Sequence, residues 1–390
     1  MLHLIKFLIC LISFLVFTSP APAFEMQPVG TEYDRRIAQL DESRAERLLA
    51  TLVDRGGPKF LAPVHEEITQ RIYGCNENWE DKPKCAKRNF APNPVIDGAR
   101  WNDNPPFMVK DGFLLPNGET IGSRCVGETI KLPRKSDCWL EVFRASNQMA
   151  LRRFFTNRTG VMLNRSHFGD MQFLHSMASR FGDRAQDTKL SMLIWAEFAY
   201  KVAMGSIPAH TMLKDVPVSD LAKKVFPKQE ATVENLFLMG DETYRGSPLR
   251  DFAFGTLLHM VQDSFSESHV SRDLSTQGAF CSCPYTDRSP AKIEKFLVYS
   301  SQDTAKHREK DTYDALRKGA VKYSPNVIDA GKILLEFYRR KSKWEVVKKY
   351  LDECVFALKD IDAEADAGKF EKTDEPFMQQ EDRPRDQINY

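Results

Sequence analysis

Histidine and aspartate residues in the segment 251–273 have the spacing of metal ligands. His259 and Asp263 are four residues apart, so on a helix they would lie within about 40° of each other on one face. An imidazole nitrogen and a carboxylate oxygen placed one turn apart can bind the same cation. His269 lies six residues after Asp263, about 120° further round a continued helix. It would approach the same metal region from another side or serve a second metal. The alternative is an amphipathic core helix whose polar residues are solvated.

Pairs of this kind are more frequent than composition predicts. The chain has 8 His, and 54 of its 390 residues are acidic, so about one His should have an acidic residue four places later. The sequence has three such pairs, His259/Asp263, His269/Asp273 and His307/Asp311. The excess favours a metal site without establishing one.

The candidate ligands of the whole chain are imidazoles and carboxylates, without a thiolate. This mixture favours zinc in an open, catalytic arrangement over a closed structural site. Asp263, between two His of one motif, is the natural bridging carboxylate. The candidates outnumber the ligands of one ion, which predicts two or three ions per chain: His65, Asp103, His167, His259, Asp263, His269, His307 and Asp311.

Some of these assignments have alternatives. His175 follows His167 by eight residues, about two helical turns. We predict His167 as the ligand, and His175 as its replacement or as a core or orienting residue. Asp97 is an alternative to Asp103. Two further carboxylates could orient ligand imidazoles or be simply solvated: Asp170 and Asp273.

The chain begins with the pattern of a secretory signal peptide. A short cationic start is followed by an apolar run and by Ala21-Pro22-Ala23, which predicts cleavage before Phe24. The run is too short for a good membrane anchor, and no later stretch of the sequence is long and apolar enough to span a bilayer. We therefore expect a soluble protein that is secreted or periplasmic and contacts membranes only peripherally.

Charge and cysteine content narrow the possible partners. The net charge of +1 gives no electrostatic reason to expect nucleic acid as a partner, and we expect a monomer.

Two local disulfides, Cys75–Cys85 and Cys125–Cys138, are plausible in an exported protein. After signal cleavage the cysteine number is odd, so one cysteine should be unpaired or paired between chains. The remaining cysteines are Cys281, Cys283 and Cys354.

Helical periodicity dominates and predicts an all-α fold, a single multi-helix bundle with long loops around the metal cluster. The predicted organisation is a signal peptide (1–23), an N-terminal extension with one helix (24–62), the main domain (63–360) and a mobile charged tail (361–390). Residues 74–135 are predicted to be a long loop region. Helices are predicted over 33–54, from Pro63, and over 137–155, 187–204, 221–237, 250–269, 293–318 and 327–358, the last broken near 341–343.

Five short motifs follow one another between His65 and Asp311. The most specific is His-x3-Asp-x5-His, at 259–269, and the second is His-x3-Asp, at 307–311. The third is Trp-x-Asp, which ends at Asp103. The other two are an early helical His followed by Ile and Thr, at 65–69, and His-Phe-x-Asp, at 167–170.

Together these motifs resemble those of the zinc-dependent phospholipase C and S1/P1-type nuclease superfamily. Two longer tracts, HFGDMQFLHSMAS and LLHMVQDSFSESHVSR, resemble the branch formed by the secreted phospholipases C of Gram-negative bacteria. The superfamily is all-α and uses three clustered zinc ions, so the resemblance implies the same fold and cofactor here.

The resemblance also implies roles for the ligands. Asp103 and Asp263 would be the catalytic residues, with Asp103 both a ligand and a proton acceptor. The third zinc would be held by His65 and Asp263. The other two sets are Asp103, His167, His259 and Asp263 for the first zinc, and His269, His307 and Asp311 for the second.

This sequence departs from the family pattern at two places. In better-known members the mature chain starts with a Trp whose amino group and carbonyl complete the third site, a few residues before the early His. Here residues 24–64 lie before His65 and contain no Trp. The third zinc would be held differently, be weak or absent, or depend on a second cleavage. The gap from Asp103 to His167 is also long and implies an insertion.

The implied activity is hydrolysis of phospholipids of the phosphatidylcholine type to diacylglycerol and a phosphorylated head group, by attack of a zinc-bound hydroxide. The partner would be phospholipid at a membrane surface. One alternative is a single-strand nuclease or 3′-nucleotidase, against which the lack of a basic surplus counts. Another is a non-catalytic, zinc-stabilised binding protein.

Overall fold

The computed structural model describes residues 62–115, 118–151, 161–218, 230–240, 244–299 and 302–371, with the side chains of 147–151 and 304 excepted. The predicted signal peptide and the predicted helix over 33–54 lie outside these ranges. The described chain is mostly helical. Its helices are α1 (Val64–Ile72), α2 (Asn93–Trp101), α3 (Ser136–Leu151), α4 (Met162–Phe168), α5 (Ala185–Ala203), α6 (Val233–Leu238), α7 (Pro248–Asp263), α8 (Thr304–Arg308), α9 (Tyr313–Lys322), α10 (Val327–Arg339) and α11 (Trp344–Tyr350).

Two small antiparallel sheets accompany the helices, so the prediction of a purely all-α fold is only partly confirmed. Strand β1 (Val270–Asp273) pairs with β4 (Lys292–Phe296), and β2 (Phe280–Cys283) pairs with β3 (Thr286–Arg288). The prediction of helix from residue 293 is wrong at its start, because residues 292–296 form strand β4, which pairs with β1. Ile293 and Phe296 are its buried residues, and their spacing of three accompanies a shift in the pairing register opposite Ser271 and Arg272.

Helix α7 is the centre of the fold. It begins with Pro248 in its first turn, where proline costs no hydrogen bond, and continues as an almost uniformly buried helix. A helix that is apolar on all sides must be surrounded by other elements. It packs most extensively against α2 and then against α5.

Two glycines allow α7 and α2 to approach closely. A Cβ added to Gly98 of α2 would lie 2.0 Å from the Phe252 carbonyl oxygen, and one added to Gly255 of α7 would lie 2.3 Å from the Val95 carbonyl oxygen. No side chain fits at such distances. The absence of a side chain at both positions therefore brings the end of α2, and Asp103 just after it, against α7.

The end of α7 is fixed by a buried arginine. Arg272 Nε donates to the Ser264 carbonyl oxygen (2.8 Å), Nη1 to that of Ala291 (2.6 Å) and Nη2 to that of Val355 (3.1 Å). Carbonyls at a helix C-terminus need such donors when buried. Arg272 thereby joins the end of α7 to β4 and to the π-helical turn at Leu351–Val355.

Some of the other sequence predictions agree with these elements, and some do not. Residues 74–135 contain α2, so that region is not loop throughout. The predicted break near 341–343 is confirmed, between α10 and α11. Residues 361–371, assigned by sequence to a mobile tail, pack on the body, where Phe370 is buried and 366 bridges to 297. None of the helices in the described ranges is long and apolar enough to cross a membrane.

Both local disulfides predicted from the sequence are present. Cys75 is bonded to Cys85, and Cys125 to Cys138. Each closes a loop within 74–138, a region that has few helices of its own. A third disulfide joins Cys281 to Cys354 and leaves Cys283 as a free thiol.

Candidate metal centre

Nine buried histidine and aspartate residues meet beside α7. They come from six separate parts of the chain. Each of the nine is at most 7% exposed. They are His65 on α1, Asp103 after α2, His167 on α4, His175 in the 3-10 turn Gln172–His175, His259 and Asp263 on α7, His269 before β1, His307 on α8 and Asp311 after α8.

Asp263 occupies the middle of this set. Its Oδ2 is 2.8 Å from His259 Nε2 and 3.0 Å from His175 Nδ1. Its Oδ1 is 3.5 Å from His65 Nε2, and its Oδ2 is 3.9 Å from His269 Nδ1. The carboxylate therefore faces imidazoles from α1, from α7 and from the His175 turn, as a bridging ligand would.

The closest atoms form a triangle. His259 Nε2, Asp263 Oδ2 and His175 Nδ1 are separated by 2.8, 3.0 and 3.1 Å. Nitrogen and oxygen atoms bound to one tetrahedral zinc at about 2.0–2.2 Å lie about 3.3 Å from each other. One shared proton cannot satisfy all three sides, whereas one cation can.

Asp103 lies at the junction of two groups. Its Oδ2 is 3.5 Å from His65 Nε2, and its Oδ1 is 3.7 Å from His175 Nδ1. His167 belongs to the same neighbourhood, with its ring centroid 5.0 Å from that of His175. In the described part of the chain, the ion-pair partners of Asp103 are histidines.

A second group lies at the other end of the cluster. His307 Nε2 is 2.9 Å from Asp311 Oδ2, and His269 Nε2 is 3.8 Å from Asp311 Oδ1. Asp311 Oδ1 accepts hydrogen bonds from the hydroxyls of Ser266 (2.6 Å) and Ser268 (3.0 Å). The two serines fix the carboxylate toward the histidines.

Hydrogen bonds to oxygen atoms orient most of the imidazoles. An Nδ1–H that donates to oxygen leaves the Nε2 lone pair directed at the centre, which is how metal-binding histidines are usually held. The acceptors are Gln262 Oε1 for His65 (2.6 Å), the Leu163 carbonyl for His167 (3.1 Å), the Ala99 carbonyl for His259 (2.6 Å), the His175 carbonyl for His269 (2.6 Å) and Gln302 Oε1 for His307.

Several buried atoms of these side chains have no hydrogen bond within the described residues. Buried polar atoms normally have a partner, and a buried carboxylate without one is costly. A set of imidazole lone pairs and carboxylates facing one another is the donor set that a cation would satisfy. The atoms are Nε2 of His167, His175, His269 and His307, and both carboxylate oxygens of Asp103.

The protonation states also suit metal binding. Burial lowers the pKa of His65 to about 3 and that of His167 and His269 to about 4. Burial also holds the pKa of His175 and His259 well below the usual value. Neutral imidazole is the form that binds a metal, so these side chains are ready ligands at neutral pH.

The pKa values of Asp103 and Asp311 are shifted in opposite directions. Burial, together with the negative charges of Asp311 and Glu66, raises the pKa of Asp103 well above its ordinary value. Burial also acts to raise the pKa of Asp311, but His307 and His269 outweigh it and the pKa is lowered. A cation near Asp103 would restore its ionised form.

Four groups of side chains in the cluster could hold a metal ion. In each group the potential ligand atoms lie within 4.8 Å of one another. Every ligand predicted from the sequence belongs to at least one group. The groups are His65/Asp103/His259, Asp103/His167/His175, His175/His259/Asp263 and His269/His307/Asp311.

The structure refines the sequence predictions at several points. His269 is not on the central helix, because α7 ends at Asp263 and a turn carries His269 into β1. His175, which the sequence favoured less than His167, lies nearer to Asp263.

The other three carboxylates considered from the sequence, Asp97, Asp170 and Asp273, contact residues outside the cluster. Asp97 pairs with Arg100 (3.3 Å), and Asp170 with Arg165 (2.9 Å). Asp273 accepts from Ser275. None of these contacts is to a histidine of the cluster. The sequence reasoning missed the orienting glutamines, Gln262 and Gln302. Gln262 could have been found from its position beside Asp263 on the same helix, but no local pattern indicated Gln302.

Comparisons with models of protein families, with curated proteins and with solved structures found no match for this chain.

Proposed function

We propose that this chain is an exported zinc-dependent phosphodiesterase that hydrolyses phospholipids of the phosphatidylcholine type to diacylglycerol and a phosphorylated head group. The observation that carries the proposal is the position of Asp263, whose two oxygens face imidazoles from several elements within 2.8–3.9 Å. A carboxylate shared among so many neutral imidazoles suits a cluster of ions rather than a single one. The sequence motifs that contain these residues supply the choice of zinc and of substrate.

The proposed ligand sets follow the observed groups. His175, His259, Asp263 and Asp103 would hold one zinc, with His167 beside Asp103. A second zinc would lie between His269, His307 and Asp311. A third would be held by His65 with Asp103 and Asp263, both 3.5 Å from His65 Nε2. This arrangement needs no N-terminal Trp, because Asp103 takes part in the third site.

Zinc ions in these sites would supply Lewis-acid activation of water and of a phosphodiester oxygen. The protein's own contribution begins with Asp103. Neither of its oxygens has a hydrogen bond in the described structure, so one of them can accept the proton of the attacking water. Zinc beside this buried carboxylate would hold it ionised, which is the form that can accept a proton.

The surrounding residues keep this base and its neighbours in place. Gln262 joins His65 Nδ1 to the Thr69 hydroxyl, with distances of 2.6 and 2.9 Å. The Ala99 carbonyl fixes His259. These bonds fix which ring nitrogen carries the proton and limit rotation, so that ring orientation is set before substrate binds.

The first test is a metal count paired with activity on two substrates. Zinc per chain should be measured by mass spectrometry on the purified protein, and the same sample assayed on phosphatidylcholine vesicles and on single-stranded DNA. We expect two or three zinc ions and release of phosphorylcholine, lost on chelation and restored by zinc. Activity that is indifferent to chelation would exclude the mechanism.

The two substrates separate the alternatives. Cleavage of DNA without cleavage of lipid would place the activity with the single-strand nucleases. Bound zinc with neither activity would favour a metal-stabilised binding protein. An Asp103→Asn variant sharpens the result, because it should lose far more activity than metal if Asp103 accepts the proton. Asp97→Asn is its matched control, since Asp97 pairs with Arg100 instead.

A further inference from the structure

Three cysteines form a group separate from the histidine–aspartate cluster. Cys281 and Cys354 form a disulfide, and Cys283 is a free thiol. The Sγ atom of Cys283 is 3.1 Å from that of Cys354. The three sulfur atoms all lie within 4.8 Å of one another. A thiol in contact with a disulfide is placed for exchange.

The local structure explains why two cysteines reach the same partner. Cys281 and Cys283 are two residues apart on β2, and such residues point to the same side of a strand. Cys354 lies on the π-helical turn Leu351–Val355. The β2–β3 register is irregular between Phe280 and Cys283, so the ladder does not hold that part of β2 in one regular position.

We propose that these residues form an internal thiol–disulfide exchange site, in which Cys354 pairs alternately with Cys281 and Cys283. The Cys283 thiol loses its proton to solvent, and the thiolate attacks the Cys354 sulfur. The Cys283–Cys354 bond forms as the Cys281–Cys354 bond breaks. Cys281 leaves as a thiolate and takes up a proton. One disulfide and one thiol exist before and after, so no oxidant or reductant is consumed.

Exchange moves the free thiol between two environments. Cys283 is partly exposed, whereas Cys281 is 3% exposed. When Cys281 carries the disulfide, the thiol at Cys283 is accessible to small-molecule disulfides, with which it would form a mixed disulfide. When Cys283 carries it, the thiol is buried and protected. The site thus determines whether this exported chain presents a reactive thiol.

Exchange leaves the anchoring of α7 unchanged. Cys354 precedes Val355, whose carbonyl oxygen accepts from Arg272, the residue that also binds the Ser264 carbonyl at the end of α7. Cys354 is bonded to β2 in both pairings. We therefore expect exchange to alter thiol reactivity without releasing metal from the cluster.

The decisive variant is Cys281→Ser, with Cys283→Ser as its matched control. In Cys283→Ser the Cys281–Cys354 bond should persist, and neither cysteine should react with maleimide after unfolding. The proposal expects the same result for Cys281→Ser, since Cys283 would pair with Cys354. Two reactive thiols, on Cys283 and Cys354, in a folded Cys281→Ser protein would overturn the proposal.

The unaltered chain provides a second measurement that does not depend on folding of a variant. After incubation in mildly alkaline buffer, exchange is stopped with acid, and the protein is unfolded and labelled with maleimide at low pH. Peptide mapping by mass spectrometry then locates the label. We expect label on both Cys281 and Cys283, with one label in total per chain among the three cysteines. Label confined to Cys283 would show that the second pairing does not form.

Discussion

The two ends of the histidine–aspartate cluster are built in different ways. His269, His307 and Asp311 all lie within residues 269–311, and side chains from residues 266–302 orient two of them. Gln302 orients His307, and Ser266 and Ser268 orient Asp311. The other end gathers ligands from five parts of the chain around Asp263, and Asp103 there has no hydrogen bond within the described residues.

This difference indicates how each end depends on the fold. The 269–311 group is fixed by side-chain hydrogen bonds from Gln302, Ser266 and Ser268, and His269 also donates to the His175 carbonyl of the other end. The group around Asp263 depends on the packing of α1, α2 and the His175 turn against α7. The two ends should therefore respond separately to substitution, and five substitutions in four experiments examine that separation.

The largest effect is expected for Asp263→Asn. The change keeps the side-chain size but removes the charge that the imidazoles share. Metal should be lost around Asp263, with about one equivalent retained at 269–311. Activity should fall by more than about a hundredfold. Losing a residue that only hydrogen-bonds to a metal ligand already costs up to about a hundredfold, and Asp263 is itself a proposed ligand.

Metal content and lipid hydrolysis measured on the same sample check this expectation. Asp251→Asn on the same helix is the control, because its carboxylate accepts from the Tyr338 hydroxyl outside the cluster. Full metal and activity in Asp263→Asn would refute the bridging role.

His307→Ala should have the opposite pattern. It removes one ligand of the 269–311 group and leaves Asp263 untouched, so about one metal equivalent should be lost and the others kept. Elemental analysis after dialysis measures this directly. The exposed His210 supplies the control variant, His210→Ala. Loss of all metal would mean that the two ends are not independent.

His175→Ala and His167→Ala compare two candidates for one role. The sequence favoured His167, but His175 Nδ1 is 3.0 Å from Asp263 Oδ2 and 3.1 Å from His259 Nε2. We now expect His175→Ala to reduce metal affinity and activity more than His167→Ala. Zinc titration of the two metal-free variants gives the ranking. The reverse order would restore the assignment made from the sequence.

Gly255→Ala should have the smallest effect on activity and act through stability. The new methyl group would meet the Val95 carbonyl oxygen, and overpacking of this kind costs about 1–3 kcal/mol. The thermal unfolding midpoint should fall, and metal should be lost from the Asp263 end first.

Gly319→Ala is the matched control for that variant. Its Cβ would lie 3.9 Å from the Tyr323 ring, which is an ordinary contact. On α9 this change should stabilise the helix by about 0.5–1 kcal/mol. Equal stability of Gly255→Ala and the unaltered chain would show that α2 and α7 can separate without cost.

Local features of the fold could be predicted from the sequence because they depend on residues close together in the chain. The periodic apolar pattern predicted α5 and α7, and Pro63 marked the start of α1. The His259/Asp263 and His307/Asp311 pairs have the expected spacing of about one helical turn, and both pairs meet in the structure. The two short-loop disulfides formed as predicted.

Tertiary contacts decided the rest. Residues 292–296 form a strand because they pair with β1. No local sequence pattern indicated that pairing. His269 leaves the helical path because Arg272 binds the Ser264 carbonyl where α7 ends. His175 reaches Asp263, 88 positions away, only because its turn packs on α7. The sequence specified which side chains could bind a metal, and the packing against α7 determined which of them meet.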